Sequence, residues 1–194
     1  MMNLREYRRA AARLADFLPW AALVGPGVIV NKDGSFQRTA RFRGPDLDSA
    51  VAAELVAVAG RINNAFRRLG SGWSIFVEAQ RSEAATYPDS PFPDAASGLV
   101  EEERKADFEE AGIHFVSDYF LTILYLPPAE DAARAETWLY EGREQTGVDP
   151  HEVMRGFIDR TDRVLALLDG FMPECRWMDD GATLTYLHST ISTN

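Results

Sequence analysis

Val28-Ile29-Val30-Asn31-Lys32-Asp33-Gly34-Ser35-Phe36-Gln37-Arg38-Thr39-Ala40-Arg41-Phe42-Arg43 is the stretch from which the rest of the chain is read. A β-branched run leads into turn chemistry at Asn31–Gly34, and an alternating segment follows, which predicts a β-hairpin with its first arm over Trp20–Val30 and its second over Ser35–Arg43. Strand side chains repeat every two residues. Phe36, Arg38, Ala40 and Phe42 therefore point one way, and Gln37, Thr39, Arg41 and Arg43 the other, which makes Arg41 and Arg43 solvent-side candidates. Gly44-Pro45 ends the strand.

Downstream, Asp48 or Ser49 is placed to cap a helix carrying Val51, Leu55, Val58, Ile62, Phe66 and Leu69, a stripe at helical spacing that stops at Gly70. After Ser71-Gly72, the residues Trp73, Ile75 and Val77 alternate with Ser74, Phe76 and Glu78, as in a strand. Residues 82–98, with Pro88, Pro91 and Pro93, read as a loop and as the best internal boundary. A charged helix is expected from Glu101 to about Phe115, with a thin stripe of Val100, Phe108, Ala111 and Phe115. Tyr119–Leu126 is apolar on both faces, the pattern of a strand inside a covered sheet. Helices are expected over 129–140 and 151–168, the latter with Val153, Phe157, Val164 and Leu168. A strand over Glu174–Met178 and a short helix capped by Asp180, with Leu184, Leu187 and Ile191, complete the pass.

Upstream, Leu4, Tyr7, Ala11, Leu14 and Leu18 form a helical stripe that ends at Pro19 and is expected to pack on its own domain. The fold class that results is α+β: one domain, residues 1–194, with a mixed or antiparallel sheet flanked by helices.

The 194 residues are 46% hydrophobic and 26% charged, enough for one good core. The longest apolar run, Phe120–Leu126, is far short of the roughly 20 residues that span a bilayer, so no membrane crossing is expected, and the start lacks the apolar region of a secretory signal. One cysteine, Cys175, excludes an internal disulfide and a multi-cysteine zinc site, which fits a reducing, cytosolic compartment. The net charge of −10 is uneven: residues 1–81 hold 12 Lys/Arg against 7 Asp/Glu, and residues 82–194 hold 8 against 23. The acidic bulk argues against direct nucleic-acid binding, because phosphate neutralisation needs clustered cations. The basic part can face anionic lipid or an acidic partner, or it can complement the acidic part within one fold.

Catalytic patterns are missing. No GxxxxGK[ST] is present; Lys32 lies in a turn and Lys105 in a charged segment, and Gly70-Ser71-Gly72 leads into a strand rather than a helix. His114, His151 and His188 have no metal-ligand spacing. There is no G-x-S-x-G elbow, and Cys175 has no nucleophile signature. Asp179-Asp180 reads as turn and cap. Trp20 and Trp73 are expected to be buried, and Trp138-Leu139-Tyr140 to pack internally. No catalytic, cofactor-binding or metal residue is assigned. Arg38, Arg41 and Arg43 remain as candidates for contact with a partner or an anionic membrane surface.

Several long strings carry a family resemblance: Leu14-Ala-Asp-Phe-Leu-Pro-Trp-Ala-Ala-Leu-Val24, Val28 through Leu47, Ala65-Phe-Arg-Arg-Leu-Gly-Ser-Gly-Trp73, Val77-Glu-Ala-Gln-Arg81, and Phe120-Leu-Thr-Ile-Leu-Tyr-Leu-Pro-Pro128. Across most of its length the chain resembles the start of the conjugal-transfer (TrbE) branch of the CagE/TrbE/VirB family of type IV secretion ATPases. The resemblance implies an amino-terminal α+β recognition and assembly domain, ahead of a RecA-like motor that binds ATP and magnesium. The ending Ser189–Asn194, without an evident terminal element, is expected to lie inside such a longer protein, and no nucleotide-binding residue carries over. The resemblance further implies a place on the cytoplasmic face of the bacterial inner membrane, with inner-membrane subunits of the secretion complex and neighbouring ATPase subunits as partners. The alternatives are a small cytosolic hydrolase or nucleotide-binding protein, and a self-associating structural module in which the acidic second part meets the basic first part of a neighbour.

Overall fold

The computed structural model describes residues 13–84, 86–88, 91–128 and 150–192. The expected helix at 129–140 and the Trp138–Tyr140 cluster lie outside these residues. Of the first helix, only its end falls within them, as the single turn α1 (Leu14–Phe17).

Three strands open the sheet: β1 (Trp20–Gly25), β2 (Val28–Asn31) and β3 (Phe36–Arg43), each antiparallel to the next. The first arm of the predicted hairpin is thus two strands. Gly25-Pro26-Gly27 folds the apolar run back on itself, and Gly27 makes the turn with φ 64°. A side chain there would also meet the Met178 carbonyl oxygen at 2.3 Å from its first carbon. The β2–β3 turn is held as its sequence predicts: Asp33 Oδ1 accepts from the Ser35 N–H at 2.9 Å, and Asn31 Nδ2 donates to Ser35 Oγ at 2.9 Å.

The helix α2 (Ala52–Phe66) follows. Neither Asp48 nor Ser49 caps it. The chain enters at Val51, whose N–H donates to the Glu54 carboxylate at 3.0 Å, so an acid inside the first turn takes over the cap's role. The helix ends at Phe66, short of Gly70, and only its last turn is well covered; Leu55 is 44% exposed and Val56 73%.

The strand β4 (Trp73–Glu83) and the strand β5 (Phe115–Tyr125) pair antiparallel through eleven positions without a register shift. Both are longer than their apolar centres indicate. Between them lies α3 (Ala95–Ala111), which starts six residues before Glu101 because Asp94 caps it, accepting from the Ser97 N–H and hydroxyl at 2.8 Å each. The helix stops at Gly112 (φ 86°), and Phe115 belongs to β5. The proline-rich segment is therefore a connection within one sheet.

The strand β5 also pairs antiparallel with β3, so β3 and β4 run parallel with β5 between them, and α2 is the crossover that joins them. The helix α4 (Pro150–Asp169), the strand β6 (Glu174–Trp177) and the helix α5 (Asp180–Ser189) complete the described part. β6 extends the β3 edge beside β2, giving a six-stranded sheet in which every pair is antiparallel. Asp179, not Asp180, caps α5, accepting from the Ala182 N–H at 2.8 Å; Asp180 instead accepts from the Gly27 N–H at 2.7 Å.

The sheet is covered unevenly on its two faces. On one, Phe36, Leu121 and Ile123 pack under Phe157, Val164 and Leu168 of α4, with Ala65 from the end of α2. Phe157 stacks on Phe36 at 5.9 Å and on Trp73 at 5.8 Å. On the other, Ile29 and Phe120 meet Tyr186 and Leu187 of α5, and Thr39 and Thr122 share a buried hydroxyl bond of 2.8 Å. Trp20 and Trp73 are half-buried rather than buried. In α5, Leu187 is buried whereas Leu184 faces out, and Thr183 and Tyr186 fill the contact instead.

Candidate functional site

The three arginines of β3 have three different environments. Arg38 lies on the α4 face, as its alternation with Phe36 and Ala40 dictates, and its side chain is only 11% exposed. Its guanidinium donates to Asp162 Oδ1 at 2.6 Å and lies 4.3 Å from the centroid of the Trp177 ring. The Trp177 indole N–H donates to the same carboxylate oxygen at 2.7 Å. Arg38 thus ties β3 to α4 and β6 and presents little to a partner. Arg41 lies on the opposite face, paired with Asp118 of β5 and half exposed. Arg43, at the end of β3, is exposed.

Both bridges join the basic first part of the chain to the acidic second part. Of the two readings of the charge asymmetry, these contacts realise the internal one, while Arg41 and Arg43 stay accessible.

Beside Arg43 the sheet is open. Phe42 sits directly opposite Tyr119 in the β3–β5 ladder with ring centroids 5.8 Å apart, and Val77 of β4 lies one step along the same face. These three line a cleft of about 790 Å³, with Arg43, Asp46 and Asp48 at its rim. Val77 is 67% exposed and Ile75, next to it on that face, 40%. The floor is apolar, with one cation and two carboxylates around it.

The groups that could do chemistry are dispersed. Among the described residues no cluster of three His, Cys, Asp or Glu side chains could hold a metal ion. His114 stacks on Phe108 with centroids 3.7 Å apart and bonds its carbonyl through Nε2 at 2.7 Å. Cys175 is buried, and burial pushes its thiol up to about 11. Burial, followed by the bond that Tyr186 donates to Glu78 at 2.7 Å, pushes the Tyr186 phenol up to about 12. Gly70-Ser71-Gly72 does not fit a nucleotide phosphate. Gly72 (φ 84°) packs against the Leu126 carbonyl and opens β4, so no helix N-terminus stands behind it to receive an anion. Among the described residues no helix is long and apolar enough to cross a membrane.

A family model described as "Type IV secretion system ATPase VirB4/TrbE, N-terminal domain" matches residues 27–133. That span runs from β2 through β5 and holds the whole cleft except Pro173. The chain is 38% identical over 143 residues to "Conjugal transfer protein TrbE" of Rhizobium radiobacter, which covers 72% of this chain and 17% of that protein. It is 39% identical over 130 residues to a "Probable conjugal transfer protein TrbE" of Sinorhizobium fredii, whose name marks it as the first portion of a divided TrbE, covering 66% of this chain and 87% of that one. It is 28% identical over 120 residues to "Type IV secretion system protein virB4" of Brucella suis, covering 59% of this chain and 14% of that protein. The matched region is thus a small share of the two longer relatives and nearly all of the short one.

Proposed function

We propose, given that this chain belongs to the VirB4/TrbE N-terminal domain family of type IV secretion ATPases, that it is the docking and assembly domain of such an ATPase during conjugal transfer. It holds the motor to inner-membrane subunits of the secretion complex, on the cytoplasmic face of that membrane, and to neighbouring ATPase subunits. ATP and magnesium are ligands of the motor, and this domain recognises rather than catalyses.

The observation that supports this best is the open cleft of Phe42, Tyr119 and Val77 with Arg43 at its rim. Fully burying a large apolar side chain is worth about 1.5–3 kcal/mol, so a partner's side chain seated there gains appreciably. Arg43 adds a charge contact at the rim, which governs encounter and orientation more than affinity, and Arg41, paired with Asp118 on the other face of the sheet, is a second accessible charge. Arg38 takes no part, being held inside the fold.

The test is capture of inner-membrane subunits from detergent-solubilised membranes by the full-length ATPase carrying Arg41→Glu and Arg43→Glu. Capture by the parent is expected to strengthen as salt is lowered, and capture by the variant to be reduced and to lack that gain. Capture equal to that of the parent at every salt concentration would overturn the docking role of this surface.

A further inference from the structure

The strand β4 is the last in the sheet. Its inner edge is taken by β5 over all eleven residues, and among the described residues no strand pairs with its outer edge. Natural sheets protect such edges with proline, lysine, a bulge or short length. Trp73-Ser-Ile-Phe-Val-Glu-Ala-Gln-Arg-Ser-Glu83 contains no Pro, Gly or Lys and its ladder is unbroken; its charges, Glu78, Arg81 and Glu83, all lie in its second half, leaving Trp73–Val77 without one. Ile75, Phe76 and Val77 stand exposed at 40, 57 and 67%. The strand is also held firm from below, since Glu78 accepts from Tyr186 and Gln80 donates to Ser189 Oγ at 3.1 Å. An ordered, unprotected edge offers backbone N–H and C=O groups at little ordering cost.

We propose that this edge pairs antiparallel with the same edge of a second copy of the chain, about a two-fold axis through Val77. A two-fold axis perpendicular to the sheet keeps every side chain on its own face, so the axis must pass through a residue, and the residues of β4 can be tried in turn. Centring on Glu78 overlaps the whole strand but sets Glu78 against Glu78. Centring on Ala79 puts Ile75 against Glu83 and Val77 against Arg81. Centring on Phe76 shortens the ladder to Trp73–Ala79, seven residues against the nine of Trp73–Arg81, because Gly72, whose positive φ leaves the extended conformation, ends the strand.

Centring on Val77 pairs Val77 with Val77, Ile75 with Ala79 and Trp73 with Arg81 on the α4 face, and Phe76 with Glu78 and Ser74 with Gln80 on the other. It is the long register in which no like charges oppose and the exposed aliphatics meet aliphatics. Arg81, which already lies 4.2 Å over the Phe115 ring, then faces a second aromatic ring across the axis. The pairing deepens the assembly half of the proposed function and rests on that reading only for its setting.

Cysteine crosslinking reads the register. Opposed residues in an antiparallel pair have Cα atoms about 4.5–5.5 Å apart, within disulfide range. Two Ala79 residues would lie offset by four positions, roughly 14 Å at about 3.4 Å per residue. Mild oxidation of Val77→Cys is expected to give a covalent dimer and that of Ala79→Cys a monomer, with buried Cys175 unreactive in both. Phe76→Glu, which sets a carboxylate against Glu78 on both sides of the axis at an exposed position outside the cleft lining, is expected to raise the dissociation constant roughly tenfold or more with an unchanged circular dichroism spectrum. Three results would each overturn the proposal: no dimer from Val77→Cys, equal crosslinking from Ala79→Cys, or a parent chain of single-chain mass at all concentrations in sedimentation equilibrium. A parent chain that stays monomeric yet captures membrane subunits would refute the pairing alone, and a dimeric parent whose capture is unchanged by Arg41→Glu and Arg43→Glu would refute the docking surface alone.

Discussion

Replacing Asp162 by alanine separates the structural arginine from the accessible ones. The Asp162 carboxylate oxygen accepts from the Arg38 guanidinium at 2.6 Å and the Trp177 indole at 2.7 Å, joining α4 to β3 and β6. A hydrogen bond to a charged group contributes about 1.5–3 kcal/mol, and removing one partner of a fully buried pair costs about 3–5 kcal/mol. Asp162 is 52% exposed, so water screens part of the pair, whereas Arg38 at 11% exposure would keep its charge largely out of water. The expected loss is about 2–3 kcal/mol, which for a chain of this size lowers Tm by about 4–12 °C. Urea unfolding followed by circular dichroism measures it. Trp177→Phe keeps a ring beneath Arg38 but removes the indole donor, and should cost about 1 kcal/mol. Arg41→Ala breaks only an exposed pair, and should cost at most about 1 kcal/mol. If Asp162→Ala is no more destabilising than Arg41→Ala, the idea that Arg38 is committed to the core fails.

Gly27→Ala is expected to destabilise more than any cap variant, because the new methyl group meets the Met178 carbonyl at 2.3 Å in a positive-φ turn; a melting temperature within 2 °C, on the order of a 0.5–1 kcal/mol change, would contradict this. Asp94→Ala removes both bonds at the start of α3 and should cost about 1 kcal/mol, read as faster amide exchange over residues 95–98, with β4 and β5 unaffected. Cys175 and Tyr186 both have raised folded values, about 11 against 9.0 and about 12 against 10.0. Their stabilisation is full below about pH 9 and is lost as pH rises through 9 to 12, since the unfolded chain gives up these protons first. Superimposable urea curves at pH 8 and 11 would sink that account, and a thiol reagent should reach Cys175 only after unfolding.

Periodicity made much of this fold readable. The alternation of Phe36, Arg38, Ala40 and Phe42 placed Arg38 on the inward face, but Asp162, its partner, is 124 residues away, a distance no local pattern spans. The Gly25-Pro26-Gly27 turn was signalled by its residues and obscured by the continuous apolar run around it. The start of α3 was signalled by Asp94 with Ser97 three positions on, and obscured by three prolines. Glu54 capped α2 from within, where Val51 offers no capping signature. The cleft was out of reach because Phe42, Val77 and Tyr119 come from three strands whose order depends on β5 entering between β3 and β4.

That insertion also sets a timetable for synthesis. β3 and β4 are complete by residue 83, yet the strand that joins them ends only at residue 125. At about 5–20 residues per second, the roughly 40 intervening residues take about 2–8 s. Throughout that interval β3 waits for β5 on one edge and for β6 on the other, and β4 lacks β5, its pairing strand in the sheet. On a polysome, β4 would be most available to a neighbouring nascent copy before its own β5 has been made.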